Sequence, residues 1–208
     1  MDLTIYGAVG SYAEAFAKEH KLRFVAKAFP TEKFPTGFVD VPAGQYYINA
    51  VQWAAEQGIT AGTDDIHFSP NASCTRAQAV TFLWRAAGEP EPQGTAAGFT
   101  DVKAGAYYEK AVQWAVEEGI TAGTGAGKFS PEVPCTRAQI VTFLWRKEGS
   151  PEAAGAAFGD VQPGAYYETA VKWAVEKKIT AGTSATAFSP ESKCVRAQIV
   201  SFLYRSEG

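Results

Sequence analysis

Three arginines stand where helix physics does not ask for a cation. Arg76, Arg137 and Arg196 lie in Cys74-Thr75-Arg76-Ala77-Gln78, Cys135-Thr136-Arg137-Ala138-Gln139 and Cys194-Val195-Arg196-Ala197-Gln198. Each follows the residue expected to cap a helix, so its charge opposes the positive end of the helix macrodipole. A bound anion would remove that conflict. A guanidinium offers a planar fork that grips a carboxylate through two bonds, and a helix start adds N–H donors. Other groups recur with the arginines. The turn Ile-Thr-Ala-Gly-Thr at 59–63, 120–124 and 179–183 presents Gly62 and Thr63, Gly123 and Thr124, and Gly182 and Thr183. Glycine there permits close approach to backbone N–H groups, and threonine adds a hydroxyl. Trp53, Trp114 and Trp173 could stack on sugar C–H groups while their edges donate a hydrogen bond. Asp40, Asp101, Asp160, Gln78, Gln139 and Gln198 complete the recurring polar set of candidate ligand contacts.

Most of these residues also have a purely structural reading. The tryptophans sit mid-helix among apolar residues, which favours core packing. The aspartates can cap a turn ahead of the first helix of each unit. The cysteines read as small core residues; their odd number makes a poor disulfide framework, and their spacing excludes a CxxC metal knuckle. In Tyr46-Tyr47, Tyr107-Tyr108 and Tyr166-Tyr167 one ring is expected to pack inward and the other to line a groove. The arginines have no such structural use, so ligand contact is expected of them, and their removal is expected to leave the fold intact.

The elements that must position these groups come from one unit used three times. Units open at Phe38-Val39-Asp40-Val41, Phe99-Thr100-Asp101-Val102 and Phe158-Gly159-Asp160-Val161. The tyrosine pair, the tryptophan, the Ala-Gly-Thr turn, a Phe-Ser-Pro and the arginine segment then follow in the same order. Pro/Gly-rich stretches at 89–98 and 150–157 separate the units. The organisation is therefore a non-repeat segment at 1–37 and repeats at 38–88, 99–149 and 158–208. A unit of about 60 residues with two short helices buries too little by itself, so the three are expected to stack into one body.

Each unit reads as helix, loop, helix. Tyr47, Ala50, Val51 and Ala54 recur at helical spacing, and Gly58 and Gly119 can stop the first helix. Thr75 with Gln78, and Thr136 with Gln139, form capping boxes, with Cys74 and Cys135 in the place of a hydrophobic staple. The third unit has Lys178 for the glycine and Val195 for the threonine. Val195 should cost its helix about 1 kcal/mol and leave one N–H unsatisfied. In the non-repeat segment, 3–9 and 23–29 read as strands and 11–20 as a helix, a small α/β element with Ser11 and Glu14 as a possible capping box.

The bulk properties narrow the function. The net charge of −3 gives no basic footprint, so nucleic acid is not an expected partner. No apolar run approaches the ~20 residues that span a bilayer, so membrane insertion is not expected. The start MDLTIYGAVGSYAEAF has no basic n-region and does not read as a signal peptide, which implies an internal protein, a mature form or a fragment. His20 and His67 do not recur, and no Gly-x-Ser-x-Gly, HExxH or phosphate loop occurs. No enzymatic activity, cofactor or metal is expected.

Phe-x-Asp-Val, Trp-Ala, Gly-Ile-x-x-Gly, Phe-x-Pro and Thr-Arg-Ala-x, in that order over 38–208, resemble the S-layer homology family. The resemblance implies a mainly α fold: three repeats in a pseudo-threefold body with a central helix bundle and grooves between neighbours. It implies an extracellular, wall-bound protein whose partner is a secondary cell-wall polysaccharide attached to peptidoglycan, commonly bearing pyruvate ketals. The groove arginine of the family's Thr-Arg-Ala-Glu falls on Arg76, Arg137 and Arg196. Here glutamine replaces the glutamate, and cysteine precedes the motif in place of an aliphatic residue. A scaffold for protein partners, working through helix faces, is the alternative reading.

Overall fold

The computed structural model describes residues 3–7, 12–26, 36–94, 98–155 and 158–207. The chain divides into two compact units, Met1–Pro35 and Thr36–Gly208. In the first, β1 (Thr4–Gly7) and β2 (Arg23–Ala26) pair in parallel, with Thr4 opposite Arg23 and Gly7 opposite Ala26. Parallel pairing requires a crossover, which α1 (Tyr12–Glu19) supplies. The small α/β element read from the sequence is present. The outer ends of its expected strands and Ser11 lie outside the described residues.

The second unit is helical. It comprises α2 (Ile48–Glu56), α3 (Arg76–Ala86), α4 (Glu109–Glu117), α5 (Arg137–Lys147), α6 (Glu168–Glu176) and α7 (Arg196–Glu207). Short-range chemistry sets most of the helix ends. Thr75 Oγ1 accepts from the Gln78 N–H at 3.2 Å while Gln78 Oε1 accepts from the Thr75 N–H at 3.1 Å, and Thr136 with Gln139 repeats the box. Gly58 and Gly119 take φ of +70° and +66° just past the first helices, the left-handed conformation that ends a helix. Lys178 adopts φ +58° at the same place despite its side chain.

The start of α7 corrects one expectation. Without a capping hydroxyl, the Gln198 N–H turns to the Val195 carbonyl at 3.0 Å, and Gln198 Oε1 still accepts from the Val195 N–H at 3.1 Å. The amide expected to be unsatisfied therefore has a partner.

The second helix of each repeat packs on the first helix of the next: α3 on α4, α5 on α6, and α7 back on α2. That closes a ring, with α3, α5 and α7 touching one another at its centre. One continuous apolar core runs through all three repeats, as the small size of a single repeat demands. Around the centre the cysteine backbones form a cycle. The Cys74 N–H donates to the Cys194 carbonyl at 3.0 Å, Cys135 to Cys74 at 2.8 Å and Cys194 to Cys135 at 2.8 Å. All three thiols are free and fully buried.

The same seam uses up the helix-start amides. Arg76 and Ala77 donate to the carbonyls of Val133 and Pro131, Arg137 and Ala138 to Ser192 and Pro190, and Arg196 and Ala197 to Ala72 and Pro70. These N–H groups were expected to be free for an anion. They hold the repeats together instead, because a buried backbone donor must be paired.

Candidate ligand-binding grooves

Each arginine leaves its own repeat and enters the next. Arg76 Nε donates to the Phe129 carbonyl at 2.9 Å, and its guanidinium carbon lies 4.8 Å from the Phe129 ring centre and 5.4 Å from that of Phe143. Arg137 does the same with Phe188 and Phe202, and Arg196 with Phe68 and Phe82. The three side chains are only 2, 3 and 4 % exposed. Burial pushes each guanidinium pKa down, and weaker charge interactions, with Asp101, Asp160 or Asp40 the smallest of them, push it partly back up. Among the described residues no carboxylate lies within ion-pair distance of any of the three. Each is a buried cation with no direct ion pair among the described residues.

Above Arg76 lies a groove of about 370 Å³, walled by the turn at 121–124, by Gln139, Thr142 and Arg146, and by Tyr166 of the third repeat. Above Arg137 an equivalent groove of about 390 Å³ runs past 180–183, Gln198, Ser201 and Arg205, and ends at Tyr46. All three repeats thus contribute to each groove. The tyrosine pairs divide as expected: Tyr47, Tyr108 and Tyr167 are buried, whereas Tyr46, Tyr107 and Tyr166 are 62, 59 and 56 % exposed.

One difference separates the grooves. Arg137 Nη2 reaches Thr180 Oγ1 at 3.4 Å and Arg196 Nη2 reaches Thr60 Oγ1 at 3.3 Å. Among the described residues, Arg76 Nη2 is buried with no partner. An unmatched buried donor of this kind is rare and costs free energy unless something fills it.

The other residues singled out in the sequence have more varied placements. Asp40 does not cap a turn before α2; its two oxygens accept from the Phe68 and Ser69 N–H groups at 2.8 and 2.7 Å. Asp101 and Asp160 bind Phe129 with Ser130 and Phe188 with Ser189 in the same way. Each aspartate thus fixes the phenylalanine whose carbonyl receives an arginine, and steadies a serine held near φ +60°. Their carboxylates are spent on the fold. Burial raises the Asp101 carboxyl, but the two backbone donors outweigh it and leave the group below its usual range; at Asp160 those donors dominate outright.

Trp114 and Trp173 are 6 and 4 % exposed and border neither groove, so the packing reading holds for both and the sugar-stacking reading fails. Trp53 is half-buried, with its ring centre 5.6 Å from that of Tyr204. The turn glycines answer to internal packing. A Cβ on Gly62 would sit 2.5 Å from the His67 carbonyl and 2.7 Å from the Phe38 ring, and one on Gly182 would sit 2.6 Å from both Ala187 O and the Phe158 ring. Gly123 stands in the same setting. Thr63, Thr124 and Thr183 hydroxyls bond the carbonyls of His67, Lys128 and Ala187, and the last two threonines also border grooves. Gln78, Gln139 and Gln198 spend Oε1 on helix starts, while Gln139 and Gln198 also border grooves.

A second arginine set, not singled out from the sequence, also belongs here. Arg85, Arg146 and Arg205 use Nη1 to hold the carbonyls of Ile59, Ile120 and Ile179, and the latter two border the grooves. The signal was present as Phe-Leu-Trp/Tyr-Arg recurring three times.

The S-layer homology domain profile matches residues 37–80, 98–141 and 157–200, more than half of the chain. An S-layer protein of Bacillus thuringiensis subsp. finitimus is 25% identical over 177 residues, 82% of this chain and 21% of that protein. A surface-layer 125 kDa protein of Lysinibacillus sphaericus is 35% identical over 99 residues, 48% of this chain and 8% of that protein. An endoglucanase of Bacillus sp. (strain KSM-635) is 29% identical over 168 residues, 77% of this chain and 18% of that protein. The matched region is thus a minor part of each of these relatives.

Proposed function

The chain belongs to the S-layer homology family, and from that premise we propose that its repeats hold a protein non-covalently on the bacterial cell surface. The ligand in this reading is an anionic secondary cell-wall polysaccharide lying in the grooves between repeats, and the module carries no catalysis. The observation that carries it is the set of three buried guanidiniums with no direct ion pair among the described residues, above all Arg76 with its unpartnered Nη2. A sugar-borne carboxylate, such as a pyruvate ketal, would supply the missing negative charge through a short ionic hydrogen bond. Arg146 and Arg205 border the same grooves, each with Nη1 anchored on a carbonyl, and add a second positive group to them. Tyr166 and Tyr46 offer exposed aromatic faces for the sugar ring.

Several weak grooves on one rigid body gain by effective concentration when they face a repetitive polymer. The test is co-sedimentation with purified sacculi before and after acid removal of the secondary polymer. Loss of binding after removal supports the reading. Binding that survives removal would refute it and favour a scaffold for protein partners.

A further inference from the structure

A second difference sets the Arg196 groove apart from the Arg76 groove: a carboxylate of the chain itself stands beside it. Arg85 and Arg196 meet on one turn. Arg85 Nη1 donates to the Ile59 carbonyl at 3.2 Å, and Arg196 Nη2 to the Thr60 hydroxyl at 3.3 Å. Arg146 and Arg76 meet on the corresponding turn, with Arg146 Nη1 on the Ile120 carbonyl at 3.1 Å and Thr121 lining the groove. A guanidinium anchored through Nη1 keeps its Nε–Nη2 edge for the two-bond grip of a ligand carboxylate. Among the described residues no carboxylate lies within ion-pair distance of Arg146. At Arg85 that edge is already met, because Glu89 Oε1 stands 3.6 Å from Nε.

The backbone around the two arginines is the same. Gly88 and Gly149 follow α3 and α5 with φ of +85° and +80°, and Glu89 and Ser150 come next at +55° and +56°. The Glu89 N–H returns to the Trp84 carbonyl and the Ser150 N–H to the Trp145 carbonyl, each at 3.0 Å. Trp84 Nε1 in turn donates to the Pro90 carbonyl and Trp145 Nε1 to the Pro151 carbonyl, both at 2.8 Å. One tryptophan thus clamps the chain on both sides of each position. The clamp holds a left-handed conformation that side chains other than glycine adopt at a cost. What differs is the group it presents: a carboxylate at Glu89, a hydroxyl at Ser150.

We infer, on the reading that the grooves hold the wall polymer, that Glu89 is a specificity-determining residue. Its carboxylate takes the place of the ligand's on Arg85 and makes the Arg196 groove less receptive to an acidic saccharide than the Arg76 groove. It does so by occupying a donor edge and by repelling an incoming carboxylate. Both side chains are partly exposed and the pair is screened by solvent, so the discrimination is modest, about three- to fivefold in affinity. A saccharide without a charge meets no such barrier.

The test reads each groove separately in the full chain. The protein is 15N-labelled, and the Nε–H resonances of Arg85 and Arg146 are assigned through Arg85→Lys and Arg146→Lys. A pyruvylated disaccharide is titrated in low-salt buffer, where exposed charges are least screened. The expected half-saturation at Arg85 lies about three- to fivefold above that at Arg146. Glu89→Gln and Glu89→Ser should bring the Arg85 value down to that of Arg146 and leave Arg146 unmoved. Ser150→Glu, which transplants the carboxylate, should raise the Arg146 value by the same factor. With the disaccharide lacking its ketal, none of these substitutions should matter. An Arg85 value that Glu89→Gln leaves unchanged overturns the proposal. So does a change of equal size at both arginines, or one that persists with the uncharged sugar, since either marks a structural effect. Silence of both arginines toward the pyruvylated sugar overturns the groove reading itself, whereas a response at Arg146 that Ser150→Glu does not weaken overturns the role of the carboxylate alone.

Discussion

Replacement of Arg76 by methionine separates the two duties of this side chain. Methionine keeps the buried stem but removes the charge and the donors. The Phe129 carbonyl loses the Nε–H bond of 2.9 Å, which costs about 2 kcal/mol for a buried acceptor left unpaired. The contacts over the Phe129 and Phe143 rings contribute about 1 kcal/mol more. Against this, a cation with an unmatched Nη2 no longer has to be kept out of water, which offsets part of the loss. The net expectation is about 1–2 kcal/mol of destabilisation for Arg76→Met. Arg76→Ala also removes two buried methylenes, at about 0.8 kcal/mol each, and so should reach about 3 kcal/mol. Alanine at all three arginines is therefore expected to unfold the body, contrary to the expectation from sequence alone that their removal leaves the fold intact.

For binding, loss of an ionic hydrogen bond of about 1.5–3 kcal/mol should eliminate one groove. The assays are urea unfolding for stability and calorimetry with a pyruvylated disaccharide for stoichiometry. The result that refutes the reasoning is a methionine variant, folded, that keeps the parent's number of sites and affinity. A methionine variant as unstable as the alanine one would equally show that the charge, not the stem, supports the joint.

Four further outcomes follow from the geometry. Burial pushes the Cys74 and Cys194 thiols up to about 12 and Cys135 well above its ordinary value, so all three should react slowly with a thiol reagent in native protein and at once in denaturant; fast labelling of the native chain contradicts this. The Asp101 and Asp160 carboxyls are held low, so the stability they contribute is complete above the unfolded value of about 3.9 and is lost as pH falls through their folded values; Tm should hold level from pH 7 to 5 and drop below about pH 4, with a smaller acid drop in Asp160→Asn. Lys178→Gly relieves a left-handed φ of +58° and should stabilise the chain by about 0.5–1 kcal/mol in urea unfolding, a gain that Gly58→Ala should reverse in sign. Among double methionine variants that each retain one arginine, the one keeping Arg76 should bind an anionic wall disaccharide most tightly, because Arg137 and Arg196 already share Nη2 with Thr180 and Thr60; calorimetry that ranks the Arg196 groove first would count against this.

Val195 in place of threonine suggested a frayed, weak helix start in the third repeat. The loss of the hydroxyl is real, but the Arg196 and Ala197 amides are pinned to Ala72 and Pro70, residues of the first repeat. What distinguishes the grooves is the reach of Nη2 to a threonine of a neighbouring repeat.

The sequence by itself determined the threefold reuse of one unit, the helix-loop-helix of each repeat, the capping boxes at Thr75 and Thr136, and the residues that recur at fixed places. Those features rest on short-range chemistry: helical periodicity, an oxygen three residues from an amide, a glycine free to take positive φ. Tertiary structure alone decided that Arg76 lies against Phe129, 53 residues away, and Arg196 against Phe68, 128 residues away. It likewise decided that the aspartates fix the phenylalanines whose carbonyls those arginines meet, and that two tryptophans are buried while the third is half-buried. Whether a donor is free, a cation is buried or a ring is exposed depends on which surface the closed ring of repeats presses against it, and no spacing within one repeat records that.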